Sequence, residues 1–270
     1  RNTLRFLLGN LNNFNKQKLV DPEEMPELER YLLTRISILN EKLKELVSKH
    51  DYHAIYTALL NFCTLELSAF YFDIRKDSLY CDDIKSIKRR STSTCLHIIF
   101  EFLTKWLSPI VSFTCEEAWK SRSYSNEESI LLQNVKDDEF TYKDISLEKV
   151  FEELKRVRKS VTSALELKRN EKLIGSSLQA KVILFLSKDT QKIIADLDLA
   201  EMCIVSNVET HDISNRSKES ISIEDEEIYV EIKLADGKKC ERCWTVLQEV
   251  SSSKNNLCNR CNDVWKTFQK

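Results

Sequence analysis

The sequence predicts a mainly α protein: an antiparallel helical bundle, followed by a small α/β unit and a four-cysteine knuckle. Three observations carry that prediction. Glycine and proline are scarce, with 3 of each in 270 residues, where average usage would supply roughly 19 glycines. Apolar residues recur at steps of three and four up to about residue 170, and at steps of two after Gly175. Two CxxC pairs lie near the end of the chain. Few turn-formers argue for long helices and against a turn-rich all-β fold. The implied boundaries are 1–145 for the bundle, 146–237 for a long helix with the α/β unit, and 238–270 for the knuckle.

The elements follow in order. Residues 1–14 read as a helix already under way; with no initiator Met and no apolar leader, the expectation is a fragment of a longer protein. Asp21-Pro22 and Pro26 mark a loop and a restart. Leu28, Leu32, Ile36, Leu39, Leu43 and Leu46 then form one helical stripe. Tyr52, Ile55, Tyr56, Leu59, Cys63, Leu67 and Phe70 form a second. Ile87, Cys95, Ile98, Phe102 and Trp106 form a third, and Pro109 opens a shorter helix through Trp119. Leu147, Phe151, Leu154, Val157, Val161 and Leu165 form the last long one. Such helices on short polar loops pack as an antiparallel bundle. Alternation from Leu178 to Leu186 reads as a strand, 189–198 as a short helix, and Glu201–Val208 and Ile228–Leu234 as two further strands.

Composition excludes several functions. Gly9, Gly175 and Gly237 are too far apart for a dinucleotide fingerprint or a P-loop. With 42% hydrophobic and 31% charged residues the chain is globular, and no uninterrupted apolar run reaches the roughly 18–20 residues of a membrane span. The histidines His50, His53, His97 and His211 form no metal or catalytic pattern. HExxH and GxSxG are absent, and Glu116-Glu117 are adjacent and so diverge on a helix. A binding module, or a non-catalytic part of an enzyme, is the expectation.

The nine cysteines divide into two groups. Cys63, Cys81, Cys95, Cys115 and Cys203 lie in apolar surroundings and read as small core residues of a reducing compartment. Cys240-Glu-Arg-Cys243 and Cys258-Asn-Arg-Cys261 are two CxxC turns separated by 14 residues. One such turn presents two sulfurs, and two turns supply the four thiolates of a structural Zn²⁺ with no open coordination position. Two disulfides and an iron–sulfur cluster remain alternative readings of the same spacing. A segment this short has little core, so metal binding is expected to drive its folding.

Charge is uneven behind a net value of -2. From 206 to 236 there are nine acids and three bases; from 149 to 181 there are nine bases and four acids. Lys85, Lys88, Arg89 and Arg90 form a further basic cluster at a helix start, and the tail from 238 carries seven bases and three acids. Local basic faces bind phosphates, although ordinary solvated helix faces have the same composition.

Several collinear stretches together resemble the C-terminal portion of the bacterial-type isoleucyl-tRNA synthetase family. They are Arg1-Asn2-Thr3-Leu4-Arg5-Phe6-Leu7-Leu8-Gly9-Asn10-Leu11, Arg30-Tyr31-Leu32-Leu33, Leu67-Ser68-Ala69-Phe70-Tyr71-Phe72-Asp73 and Arg89-Arg90-Ser91-Thr92. Pro109-Ile110 with Thr114-Cys115-Glu116-Glu117-Ala118-Trp119, Arg169-Asn170-Glu171-Lys172-Leu173-Ile174-Gly175 and Ser177-Leu178-Gln179-Ala180-Lys181-Val182 continue the series. Ala235-Asp236-Gly237-Lys238-Lys239-Cys240-Glu241-Arg242-Cys243-Trp244 completes it. The synthetases for valine, leucine and methionine share the helical anticodon-binding domain; the paired CxxC unit singles out isoleucine. Cys115 stands where the family commonly has a small residue such as Ala.

The resemblance implies a class I anticodon-binding bundle and a cytoplasmic, monomeric protein with no membrane partner. It implies that the intact protein joins isoleucine to tRNA(Ile) with ATP and Mg²⁺ and edits misactivated valine. Those chemistries lie upstream, because the HIGH and KMSKS signatures are absent; Arg216-Ser217-Lys218-Glu219-Ser220 is a chance echo of the second. This part is expected to grip the anticodon stem-loop without catalysing. Arg1, Arg5 and Phe6 match the family's first anticodon-domain helix. Arg242 and Trp244 are the preferred base contacts, with packing of Trp244 over its own zinc site, and a structural salt bridge for Arg5, as the competing readings. Arg89, Arg90, Lys168, Arg169 and Lys172 are phosphate candidates. The rival classes are a zinc-knuckle module for duplex DNA and a helical adaptor stabilised by zinc.

Overall fold

The computed structural model describes residues 1–12, 14, 19–123, 128–134, 139–224 and 227–268. Residue 13 of the first expected helix, Asp225 and Glu226 of the acidic stretch, and the last two residues of the tail lie outside the described residues. The chain divides into two compact units, 1–145 and 146–270.

The first unit is helical. It contains α1 (Asn2–Asn10), α2 (Glu27–Ser48), α3 (Tyr52–Asn61), α4 (Phe72–Cys81), α5 (Ile87–Leu107) and α6 (Ser112–Lys120). Local chemistry sets the helix starts. Pro26, with no N–H to leave unbonded, sits at the N-cap of α2. The Asp51 carboxylate accepts from Ala54 N at 3.0 Å to cap α3, and the Ser86 hydroxyl accepts from Arg89 N at 3.2 Å to cap α5. Pro109 lies in a turn, so α6 opens at Ser112 and not at the proline.

Between α3 and α4 the backbone is a π-helix, Phe62–Tyr71, which makes Tyr52–Cys81 one continuous helical run. Ser68 Oγ donates to the carbonyl of Cys63, five residues back, at 2.8 Å. The wider turn shifts the buried face. Ile55, Leu59, Phe62, Leu67 and Tyr71 are buried, with a five-residue step from 62 to 67. This corrects the expected stripe: Tyr52 and Tyr56 are 63% and 47% exposed. A fixed 3.6-residue period cannot register a π-turn. Ile87, in the first turn of α5, is also exposed, and Leu39, Leu46, Ile98 and Trp106 are half-buried. The same run, Tyr52–Cys81, is long and apolar enough on average to meet the composition of a membrane span, which the sequence reading did not anticipate. Its buried side chains pack in the bundle.

The centre of the bundle holds a charge. Glu29 on α2 is 0% exposed and Arg75 on α4 is 1% exposed. Arg75 Nε and Nη2 each donate to the Glu29 carboxylate at 2.7 Å. Tyr71 Oη donates to the same carboxylate at 3.0 Å and Thr92 Oγ1 on α5 at 3.3 Å. The Tyr52–Cys81 run and α5 thus satisfy one buried anion on α2. Phe100, Phe102 and Trp119 are also essentially buried, the Phe100 and Trp119 rings stacking at 6.3 Å. Arg122 lies 3.3 Å from the centre of the Trp119 ring and pairs with Glu101. The segment leading out of the unit is pinned to α2: Arg30 pairs with Asp144 at 3.3 Å, and Asp144 N donates to Thr34 Oγ1 at 2.8 Å.

The second unit starts with α7 (Ser146–Asn170), whose stripe from Leu147 to Leu165 is buried as expected. A sheet of order β2-β1-β3 follows, formed by β1 (Ala180–Leu186), β2 (Asn207–Asp212) and β3 (Tyr229–Leu234). β1 runs parallel to β2 and antiparallel to β3. As the central strand it is buried on both faces except at Lys181. The parallel pairing requires a crossover, supplied by α8 (Lys188–Ile193) and α9 (Leu199–Cys203). The strand expected over Glu201–Val208 is therefore corrected: its first half is helix and the strand begins at Asn207. Asp198 caps α9 by accepting from Glu201 N at 3.0 Å, and Ile204 ends it in the left-handed region at φ 56°. Both local signals outweigh the apolar run.

Arg75→Ala is expected to lower the stability of the first unit by about 3–5 kcal/mol, because it strands a buried carboxylate; urea unfolding followed by circular dichroism measures this, and a loss below about 1 kcal/mol rejects it. The Tyr71 hydroxyl also carries a pH signature. Burial, then the Glu29 carboxylate, push its pKa well above 10.0. The folded state thus keeps a proton that the unfolded chain releases near its ordinary pKa of about 10. The contribution is complete below that pH and is lost as pH rises above it. Alkaline unfolding midpoints of Tyr71→Phe and the parent, compared at pH 8 and about pH 11, should converge.

Candidate metal centre and nucleic-acid surface

The last part of the second unit is a hairpin and a helix built around sulfur. β4 (Lys238–Lys239) pairs antiparallel with β5 (Val246–Leu247), and the first CxxC turn is the hairpin loop. Cys240 N donates to Thr245 O and Trp244 N to Cys240 O, both at 2.9 Å. Gly237 enters the hairpin at φ 119°, where a Cβ would lie 2.3 Å from the backbone of Leu247. Only glycine permits so close an approach.

The second CxxC turn begins α10 (Asn259–Phe268). The Glu249 carboxylate accepts from Asn259 N at 2.8 Å and from its side-chain amide at 2.7 Å, capping the start of α10. Glu241 N donates to Asn256 O, and Asn256 Nδ2 donates to Glu241 Oε1, both at 3.0 Å. These bonds hold the two turns face to face. The hairpin is anchored to the sheet by Val246 N, which donates to Ser206 Oγ at 2.7 Å.

Cys240, Cys243, Cys258 and Cys261 are 0%, 7%, 2% and 0% exposed, and their sulfurs lie within 4.8 Å of one another. The Cys243 and Cys258 sulfurs are 3.8 Å apart. A tetrahedron of ~2.3 Å Zn–S bonds has S···S edges of about 3.8 Å, whereas a disulfide needs about 2.05 Å. Backbone N–H groups of Cys258 and Cys261 donate to the sulfurs of Cys240 and Cys258 at 3.3 and 3.5 Å, an arrangement that favours thiolate. Without a cation, the Cys261 contact and burial push Cys243 up to about 12, and burial pushes Cys258 up to about 11. A dication reverses that balance. The donor set fits zinc, and four protein ligands leave no position for a reactive water.

The other cysteines are core. Cys81, Cys95, Cys115 and Cys203 are buried and Cys63 is half-buried. Burial pushes Cys63 and Cys115 up to about 11 and Cys203 up to about 12.

The residues proposed for RNA are distributed over both units. On α1, Arg5 is exposed, with no carboxylate partner among the described residues. Arg1 pairs with Glu117 at 3.0 Å, and the half-buried Phe6 ring stacks on Phe72 at 4.4 Å. Arg89 is half-buried and donates to Asp82 O at 2.7 Å, tying α5 to the end of α4; Arg90 is half-buried beside it. In the second unit Lys168 pairs with Glu171 at 2.8 Å and Arg169 pairs with Glu166. Lys172 is exposed, left-handed at φ 61°, just past α7. Arg242 and Trp244 share the first knuckle. Trp244 is 59% exposed. Lys239 was not singled out by sequence reasoning. Its ammonium lies 4.9 Å from the centre of the Trp244 ring, and the one available signal was its place in the hairpin leading to Cys240. The Arg216–Ser220 stretch has a structural role, with Arg216 over the Tyr229 ring and Ser217 bonded to Glu231.

Comparison with known proteins gives two family matches. Residues 29–184 match the anticodon-binding domain of tRNA ligase, and residues 237–264 match a zinc finger found in FPG and IleRS. The first match extends through α7 into β1. A protein of Pelagibacter ubique named isoleucine–tRNA ligase is 42% identical over 249 residues, covering 91% of this chain and 26% of that protein. Its namesake in Gluconobacter oxydans is 39% identical over 98% of this chain and 27% of its own length. That of Desulforamulus reducens is 34% identical over 98% and 29%. The chain thus spans about a quarter of the length of these relatives.

Zinc is expected at about one per chain, and chelation should expose four thiols to a disulfide reagent while the buried core cysteines stay slow. Cys258→Ser should lose the metal and keep most of the helical circular dichroism. Full zinc retention by that variant would overturn the ligand set.

Proposed function

The chain belongs to the family of anticodon-binding domains of tRNA ligases, and from that premise we propose that it is the part of an isoleucine–tRNA ligase that grips the anticodon stem-loop of tRNA(Ile). One observation carries the reading. Four buried thiols brace a hairpin loop that presents a large aromatic ring, Trp244, to solvent amid basic side chains. Unpaired loop bases are recognised by stacking on aromatic planes and by hydrogen bonds to their edges. Arg242, in the same turn, is suited to the edges and Trp244 to the faces. Zinc supplies a rigid cross-link in place of a hydrophobic core.

Phosphate binding falls to the basic residues. Arg5, Arg90 and Lys172 have no carboxylate partner among the described residues. Arg1, Lys168 and Arg169 are held in exposed or half-exposed ion pairs. Such pairs contribute little to stability and exchange readily for a phosphate. In this reading Cys240, Cys243, Cys258 and Cys261 are the zinc ligands. The protein acts as a monomer in the cytoplasm. Joining of isoleucine to tRNA with ATP and Mg²⁺, and hydrolysis of misactivated valine, reside in the portion of the ligase that this chain does not span.

Filter binding of the zinc-loaded chain tests the proposal. A tRNA(Ile) transcript should bind about tenfold or more tightly than one with a changed anticodon, with affinity falling steeply as salt rises. Equal weak binding to both transcripts and to duplex DNA would reject anticodon recognition.

A further inference from the structure

The first knuckle contains a paired arrangement beyond its four sulfurs. Trp244 follows the last ligand of its turn with φ 67°. That region suits glycine and is a genuine outlier for a bulky residue. The backbone is held there by the bond from Trp244 N to Cys240 O at 2.9 Å, and the indole is 59% exposed. Strain of this kind is retained where a side chain has to be aimed.

Lys239, in β4, is exposed and reaches back over the ring, 4.9 Å from its centre. It has no carboxylate partner among the described residues. Lys159, Lys181 and Lys233 of the same unit, by contrast, are held by Glu224 at 2.7 Å, Glu209 at 2.7 Å and Glu231 at 2.6 Å. The described residues place no second ring on Trp244. A cation thus lies over an indole that is more than half exposed.

We propose that Lys239 is a positioning residue for RNA recognition: its ammonium seats the Trp244 indole so that the open face of the ring stacks an unpaired base of the tRNA. The inference rests on the anticodon reading and adds to it how the stacking surface is made. A cation on one side holds a ring that would otherwise sweep through its rotamers, and ordering it in advance lowers the cost of binding. The same charge lies beside the stacked nucleotide and favours its phosphate.

A double-mutant cycle on the zinc-loaded full chain tests this, with a tRNA(Ile) transcript as the probe and fluorescence anisotropy as the measurement. Zinc content and thermal unfolding verify that each variant is folded. Lys239→Ala should weaken binding about threefold, and Lys239→Arg should restore it, because a guanidinium also stacks on indole. Trp244→Ala should weaken binding about tenfold. In the Trp244→Ala background the Lys239→Ala loss should largely vanish. The indole N–H resonance of Trp244 should move in Lys239→Ala before RNA is added. An undiminished Lys239→Ala loss without the indole would overturn the positioning role and leave a plain phosphate contact, with base stacking intact. An unchanged affinity in Trp244→Ala would overturn the stacking reading itself.

Discussion

Buried negative charge, and the cation that must accompany it, is the constraint on which both units depend. A carboxylate or a cluster of thiolates removed from water is tolerated only when opposite charge and hydrogen bonds replace the lost hydration. In the first unit the chain supplies its own cation. Arg75 binds Glu29 with two parallel bonds, and Tyr71 and Thr92 satisfy what remains. Because the carboxylate is on α2 and its donors are on the Tyr52–Cys81 run and on α5, the register between these helices is set at one point in the core. In the second unit four thiols converge, and the fit to a zinc tetrahedron identifies the charge that completes them. The difference suits the scale of each structure. A bundle can enclose a guanidinium with its methylene stem, whereas a knuckle of about thirty residues has too little core and needs a cross-link that acts as one.

Scarcity of glycine has a structural counterpart. His50, Phe140, Lys172, Ile204, Trp244 and Asn256 adopt left-handed backbone where glycine would be the low-cost choice. Ile204 closes α9 and Lys172 lies just past α7. Each such residue costs roughly 1–2 kcal/mol, offset by tertiary packing. Gly237 is different: the contact with Leu247 leaves no room for any side chain. Trp244 combines this backbone state with a side chain that is 59% exposed.

The regional charge imbalance also resolves into structure. Part of the acidic stretch folds back on the basic face of α7, with Glu224 on Lys159 and Glu227 3.7 Å from Arg156. The middle of α7 is thereby neutralised within its own unit. Among the candidates that the sequence suggested, Arg5, Arg90 and Lys172 keep no carboxylate partner among the described residues, and Lys239 joins them.

What the sequence determined by itself was the class of each region and the chemistry of the metal centre. Few glycines and long three-to-four-residue stripes specify helices, alternation specifies β1, and two CxxC turns specify a four-sulfur site, because these signals are local and each residue carries its own part of them. Tertiary structure decided the rest. The π-turn at Phe62–Tyr71 shifted the buried face beyond Phe62, and packing left Tyr52 and Tyr56 on the exposed side of α3, since a helix takes the phase that its neighbours can bury. The apolar run from Glu201 became helix and then strand, since a cap at Asp198 and a place beside β1 outweighed its composition. Glu29, Arg75 and Lys239 read along the chain as three charges among many. Only packing made two of them a buried pair and set the third over an indole, because a charge is defined by the groups that surround it in space.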